Sequence, residues 1–178
     1  MITRKQCKEC KNYFEVNKWQ SGKIYCSDLC KPGFKNGQGN SMSERALWSY
    51  IQRNLKKHGQ ISRVENAFYK GMPDVNYLIG GVEGWIELKY LKSYPIREKT
   101  IVKVRHFTRE QKIWHYNRIM QNGKTTVILQ IEKDYFLFAN ENVRLVGFLT
   151  KPDMIAKANK YWKNKINFLE LKESLCNF

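Results

Sequence analysis

The chain has 178 residues, and its 32 Lys plus Arg stand against 16 Asp plus Glu, for a net charge of +16. Solubility needs far less charge than this, and so large an excess of one sign repels itself in a folded state, so the composition points to a polyanionic partner, nucleic acid first. No apolar run approaches the roughly 20 residues of a spanning helix and no hydrophobic signal region follows Met1, so the expectation is a soluble, intracellular protein without a membrane partner.

A chain of this length accommodates one core of about 100 to 150 residues and a small appendage needing its own means of stabilisation. The appendage comes first. Cys7 and Cys10 are separated by two residues, Cys26 and Cys30 by three, and 15 residues lie between the pairs. Two such knuckles suit one tetrahedral ion, and thiolate ligands select zinc. With four sulfur ligands the ion keeps no open position, so its role is structural and chelation should unfold the module. A pair of disulfides is the alternative, disfavoured without an export signal. Tyr13, Phe14, Val16, Trp19, Ile24 and Tyr25 read as a short aromatic hairpin beside the ion, with Ser21-Gly22 as its turn. Cys176 stands alone and reads as a small apolar residue. Residues 33–42, rich in glycine and polar types, read as a linker, whether as a plain tether or as a basic arm reaching along nucleic acid.

In the core, Ser41 followed by Glu44 has the pattern of a capping box, ahead of a helix predicted over about 43–57 that carries Leu47, Ile51 and Leu55 on one face. Strands are predicted over 61–69, Val75 to Ile79 and Gly84 to Tyr90, with Gly80-Gly81 as a turn. Thr108 caps a helix over about 109–121 whose Ile113, Trp114 and Ile119 are spaced for packing. Thr125 to Ile131 reads as a strand buried on both faces, and Tyr135 to Phe138 as another. Helices are predicted near 152–163 and 167–176. The order is that of a mixed α/β domain.

Asp74 opens one strand, and Glu87 and Lys89 lie two apart on one face of the next, so the three can converge. Paired carboxylates repel unless a cation sits between them, and oxygen ligands beside a phosphate select magnesium or manganese. Pro73-Asp74 and Glu87-Leu88-Lys89, with twelve residues between the carboxylates, resemble the PD-(D/E)XK nuclease superfamily over about residues 43–138. The chain contains the same letters again at Pro152-Asp153 and Glu170-Leu171-Lys172, but there both halves fall in predicted helices that would not juxtapose the charges.

The resemblance implies a restriction-endonuclease-like α/β core with a mixed central sheet flanked by helices. It also implies catalysis by Asp74, Glu87 and Lys89, with Mg2+ or Mn2+ held by Asp74, Glu87 and the backbone carbonyl of Leu88. An acidic residue on the first helix completes such sites. Glu44 is the candidate, with the helix cap as its competing role, and Glu65 and Glu83 are less well placed. Gln111 stands where some members carry a glutamine followed four residues later by tyrosine. Here His115 takes the tyrosine's place and Tyr116 comes one position late, so Gln111 is expected to contact phosphate or metal-bound water. His58, His106 and His115 share no ligand spacing and read as surface or phosphate-contacting residues. Lys92, Arg97, Lys99, Lys103 and Arg105 follow the catalytic strand and are the expected phosphate contacts, against the alternative of a merely solvated loop.

The resulting organisation is a zinc-binding module over 1–32, a linker over 33–42 and a nuclease core with C-terminal helices over 43–178. The function expected from the resemblance is metal-dependent DNA hydrolysis, directed at branched or structured DNA in repair, recombination or phage DNA processing. It would take place in the cytoplasm of a bacterium or phage-infected cell, with a homodimer suited to cutting two strands. The rivals are a non-catalytic zinc-containing DNA- or RNA-binding protein and an RNA-processing zinc protein.

Overall fold

A computed structural model describes residues 3–6, 13–16, 43–64 and 70–177. The chain divides into two compact units, Met1–Ser41 and Met42–Phe178.

In the first unit, β1 (Thr3–Gln6) and β2 (Tyr13–Val16) pair antiparallel, Thr3 opposite Val16 and Gln6 opposite Tyr13. Val16 is buried while Tyr13 is exposed, the alternation of a hairpin with one packed face. The aromatic run thus pairs backwards to Thr3–Gln6, a strand that sequence pattern alone does not announce. Cys7, Cys10, Cys26 and Cys30, with Ser21-Gly22 and the linker, lie outside the described residues.

The second unit is an α/β fold with a six-stranded mixed sheet in the order β3-β4-β5-β6-β7-β8. Its strands are β3 (Gly59–Arg63), β4 (Val75–Ile79), β5 (Val82–Leu91), β6 (Lys124–Ile131), β7 (Asp134–Ala139) and β8 (Lys160–Lys163). Only β5 and β6 pair parallel; every other neighbour is antiparallel. The parallel pair needs a long crossover, which residues 92–123 supply. Gly80 and Gly81 both have positive φ, +60° and +79°, as a two-residue hairpin turn between twisted strands requires.

Helices cover both faces. On one, α1 (Glu44–Leu55) and α4 (Phe168–Asn177) bury Leu47, Ile51, Leu55, Leu171 and Leu175 against Tyr77, Ile86, Leu88, Ile128 and Leu137. On the other, Val102, Val104, Phe107, Val143, Val146 and Met154 cover Val127, Leu129, Phe136 and Phe138. That second face also carries α2 (Arg109–Met120) and α3 (Lys151–Lys157), with a 3-10 turn over Asn140–Leu145. No helix among the described residues is long and apolar enough to cross a membrane.

Three expectations need correction. The cap of α1 is Ser43, whose side chain accepts from Ala46 N, so Glu44 is the first helical residue and forms no capping box. The helix predicted over 152–163 stops at Lys157: Ala158 turns to extended backbone, Asn159 Oδ1 accepts from Ala139 N at 2.8 Å, and Lys160–Lys163 becomes edge strand β8. Helix α2 buries His115, whereas Ile113 is exposed and Ile119 only partly covered.

Candidate metal-dependent catalytic site

The site forms where β4, β5, α2 and the start of α1 approach one another. Gly71, at φ +93°, lets the chain before β4 come onto the first turn of α2: a Cβ there would lie 2.5 Å from the Glu110 carbonyl carbon and 3.0 Å from Gln111 N. Pro73-Asp74 follows, and Asp74 Oδ2 accepts from Leu88 N at 3.0 Å, fixing the aspartate to the middle of β5.

Residues Ile86 to Lys89 of β5 are buried on both faces because parallel β6 and antiparallel β4 flank it and helices lie above and below. Glu87 is therefore fully buried, and Lys89 keeps only 4 % of its surface. Period two puts both on the face covered by α2. Lys89 Nζ lies 2.5 Å from Glu87 Oε1 and 3.8 Å from Glu44 Oε1. Because Ser43 does the capping, the Glu44 carboxylate is free to face this lysine.

Gln111 divides its amide between two tasks. Its Oε1 accepts from Thr108 N while its backbone N–H bonds Thr108 Oγ1, a capping box at the start of α2; its Nε2 donates to Glu87 Oε1 at 2.6 Å. The cap thereby fixes the rotamer that meets the carboxylate. Glu87 Oε2, by contrast, is buried with no hydrogen-bond partner. Burial foremost, then the Asp74 charge, raises the Glu87 carboxyl to about 8, against the opposing pull of Lys89; Glu44 adds a smaller upward push.

Asp74, Glu87, Lys89, Glu44 and Gln111 are thus brought together, whereas Glu83 is exposed at the hairpin, 3.7 Å from Arg118. Glu65 lies outside the described residues. The duplicate motif is dispersed: Asp153 Oδ2 accepts from Thr150 at the head of α3, and Glu170 accepts from Trp162 Nε1 and Asn167. Lys92, Arg97, Lys99, Lys103 and Arg105 are all exposed. Their segment is tied down by Tyr94 OH donating to buried Asp134 at 2.7 Å and by Val102 N donating to Leu149 O. Alternation of buried Val102 and Val104 with Lys103 and Arg105 turns the cations outward.

His115 corrects the expectation of a surface histidine. It is 1 % exposed, its Nδ1 lies 2.5 Å from Thr125 Oγ1, and burial, with the nearby Lys89 charge, lowers it to about 3, so the ring is neutral. Its signal was available: four residues beyond Gln111 it faces the same sheet.

Among the described residues no group of three or more His, Cys, Asp or Glu side chains is gathered as an ion would need. The donor chemistry nevertheless suits a divalent ion. Two carboxylates, Asp74 and Glu87, stand beside the backbone of Leu88, and Glu87 Oε2 is a buried oxygen that nothing in the protein satisfies.

No protein-family model and no curated protein matches the chain. Among solved structures it is similar to Hjc, a Holliday junction resolvase from the archaeal hyperthermophile Archaeoglobus fulgidus, with 19% identity over 57% of this chain and 76% of that one, and a TM-score of 0.35. An identity and a superposition at that level leave function to be read from the side chains themselves.

Proposed function

We propose that the chain is a divalent-metal-dependent nuclease of the PD-(D/E)XK type, with a restriction-endonuclease-like core. The observation that carries this is Glu87: a buried carboxylate with one oxygen gripped by Lys89 and Gln111 and the other unsatisfied, beside Asp74. A protein that only bound nucleic acid would gain nothing from a cluster of acids that repels phosphate.

Asp74, Glu87 and the Leu88 carbonyl would hold Mg2+ or Mn2+, with Glu44 as the acid from the first helix. Such an ion, when bound, lowers the pKa of water and stabilises charge on a phosphate. Lys89 orients the attacking water and neutralises developing negative charge. Gln111 holds Glu87 in place through its Nε2, and burial keeps bulk water from competing. Lys92, Arg97, Lys99, Lys103 and Arg105 track the phosphate backbone.

We extend the proposal to DNA as substrate, branched or structured DNA in particular, to a homodimer that cuts two strands, and to a structural zinc at Cys7, Cys10, Cys26 and Cys30. The last is tested by elemental analysis of the purified protein. The rival is a non-catalytic nucleic-acid-binding protein, favoured by the pairing of Glu87 with Lys89, which gives the buried acid a partner without an ion.

One experiment separates them: supercoiled, linear, single-stranded and four-way-junction DNA, and RNA, are incubated with the protein and with Asp74→Asn, with Mg2+, Mn2+ or chelator. Metal-dependent cutting lost in the variant supports the nuclease. Equal cutting by the variant, or binding without cleavage of any substrate, overturns it.

A further inference from the structure

Among the described residues the large apolar side chain most open to solvent is Ile96, with a relative exposure of 104 %, against 69 % for Tyr13, the next in order. Single exposed apolar residues are ordinary on a protein surface. The surroundings of this one are not. Between residues 92 and 105 the cations Lys92, Arg97, Lys99, Lys103 and Arg105 stand against one carboxylate, Glu98. Lys92, Arg97 and Lys99, nearest to Ile96 in the chain, are exposed with it.

A second observation concerns the backbone that carries Ile96, which is anchored on both sides. Two residues before it, Tyr94 donates to buried Asp134 at 2.7 Å, and Lys151 Nζ lies 4.2 Å from the centre of the Tyr94 ring and 3.6 Å from Asp134 Oδ2. After it, Thr100 N donates to Arg97 O at 2.9 Å and Val102 N to Leu149 O at 2.8 Å, with Val102 buried. Pro95 fixes the backbone torsion immediately before Ile96, and the β-branched side chain is itself stiff. A segment held in this way has little ordering left to lose when it meets a ligand.

The segment also has a fixed reach from the candidate catalytic centre. Strand β5 ends at Leu91, and seven residues separate Ile96 from Lys89, a span of at most about 25 Å of extended chain. At about 3.4 Å per base pair that is about seven pairs, so a duplex seated on the centre passes within range of this side chain.

We propose that Ile96 is a wedge that enters between neighbouring bases of DNA while Lys92, Arg97 and Lys99 hold the phosphates on either side, and that it thereby favours steps already loosened by a branch or mismatch. The inference rests on the nucleic-acid reading above and names the residue that chooses the substrate. The cations draw the backbone toward the segment, and the base stack offers the apolar environment that Ile96 lacks in the free protein. Parting two stacked bases costs free energy at each step. A branch or mismatch has met part of that cost beforehand, so the wedge discriminates by how easily DNA deforms rather than by base identity. Another protein suits this feature less well, because a stable interface buries about 800 Å2 on each side and one side chain ringed by charges does not supply it.

The test uses the full chain in chelator, so that no strand is cut. The probes are a continuous duplex, a single-mismatch duplex and a four-way junction, each with 2-aminopurine at the central step, and binding is read by anisotropy and by 2-aminopurine fluorescence. Wild type should bind the junction or the mismatch about tenfold more tightly than the continuous duplex, and brighten the 2-aminopurine there. Ile96→Ser, at an exposed position whose unfolding midpoint in urea should stay unchanged, should lose both the preference and the brightening while keeping the salt dependence of duplex binding. Ile96→Leu should restore them, as an apolar wedge requires.

Binding by wild type without brightening, or equal brightening by Ile96→Ser, overturns the wedge and leaves the nuclease reading standing. Ile96-dependent binding to phosphatidylserine vesicles, with the DNA signals unaltered in Ile96→Ser, assigns the residue to a lipid surface and also overturns it. Failure of wild type to bind any DNA overturns the wedge together with the nucleic-acid reading. Metal-dependent cleavage is scored separately with Mg2+ present, and its absence leaves the binding outcomes as they are.

Discussion

Replacing Glu87 by glutamine should change how stability depends on pH. In the fold the Glu87 carboxyl is raised from 4.5 to about 8, by burial first and by Asp74 second, with Glu44 adding to the rise and Lys89 opposing it. A carboxyl whose folded pKa lies above its unfolded one binds a proton more tightly when folded. The stability this confers is fully present below pH 4.5 and is lost as pH rises through about 8. The interval corresponds to about 5 kcal/mol, a large share of a domain's total stability. Glutamine preserves the shape and an acceptor for Lys89 and Gln111 but cannot ionise, so its stability curve should lack that descent. Urea denaturation in chelator at several pH values measures both curves. Added Mg2+ should restore stability to the wild type at alkaline pH, because an ion bound only by the native state stabilises it, and should give the variant little. Parallel curves for the two proteins would refute the argument that Glu87 is a strained, ion-seeking carboxylate.

Other changes probe the same framework. Asp74→Asn retains an acceptor for Leu88 N, so folding should be nearly unchanged while Mg2+-dependent cleavage drops by about a hundredfold or more, measured on nicked plasmid; full activity would count against the site. Replacing Thr125 by valine strands His115 Nδ1 and should cost about 1–3 kcal/mol in urea unfolding; no change would mean that the pair contributes nothing. Exchanging exposed Arg97 and Lys103 for glutamine should lower the slope of log affinity against log salt by about 2 on duplex DNA, with little loss of thermal stability. An unaltered slope would remove the basic segment from the interface.

The legible parts were those in which local pattern and burial agree. Glu87 and Lys89 were readable because a period of two puts both on one face of a strand, and the hairpin turn at Gly80-Gly81 fixes which strand precedes it. The second copy of the motif was separable for the same reason: Asp153 and Glu170 are spent on helix starts. Lys160–Lys163 was not legible, because a four-residue edge strand is decided by its pairing with β7 and by the Asn159 side chain rather than by its own periodicity. Ser41 against Ser43 was a choice between two good caps one turn start apart, and it determined whether Glu44 was spent on the backbone. His115 was misread because histidine is polar by type, and its burial depends on Thr125, a partner ten residues away on the next strand.

Gln111 shows how these local choices become chemistry. A glutamine at the third position of a helix is ordinary capping, and a glutamine against a buried carboxylate is ordinary satisfaction of a polar group; here one amide does both. The cap fixes the side-chain direction, and Gly71 brings the Asp74 loop onto the same turn of α2. The start of one helix therefore touches both the chain entering β4 and the Glu87 side chain of β5, whose mutual register the antiparallel ladder sets. Without that fixed contact, mutual repulsion would drive Asp74 and Glu87 apart or turn one toward solvent. With it, Glu87 Oε1 is held and Oε2 is left over, on a carboxyl that burial and the Asp74 charge raise to about 8 and that Lys89 only partly lowers.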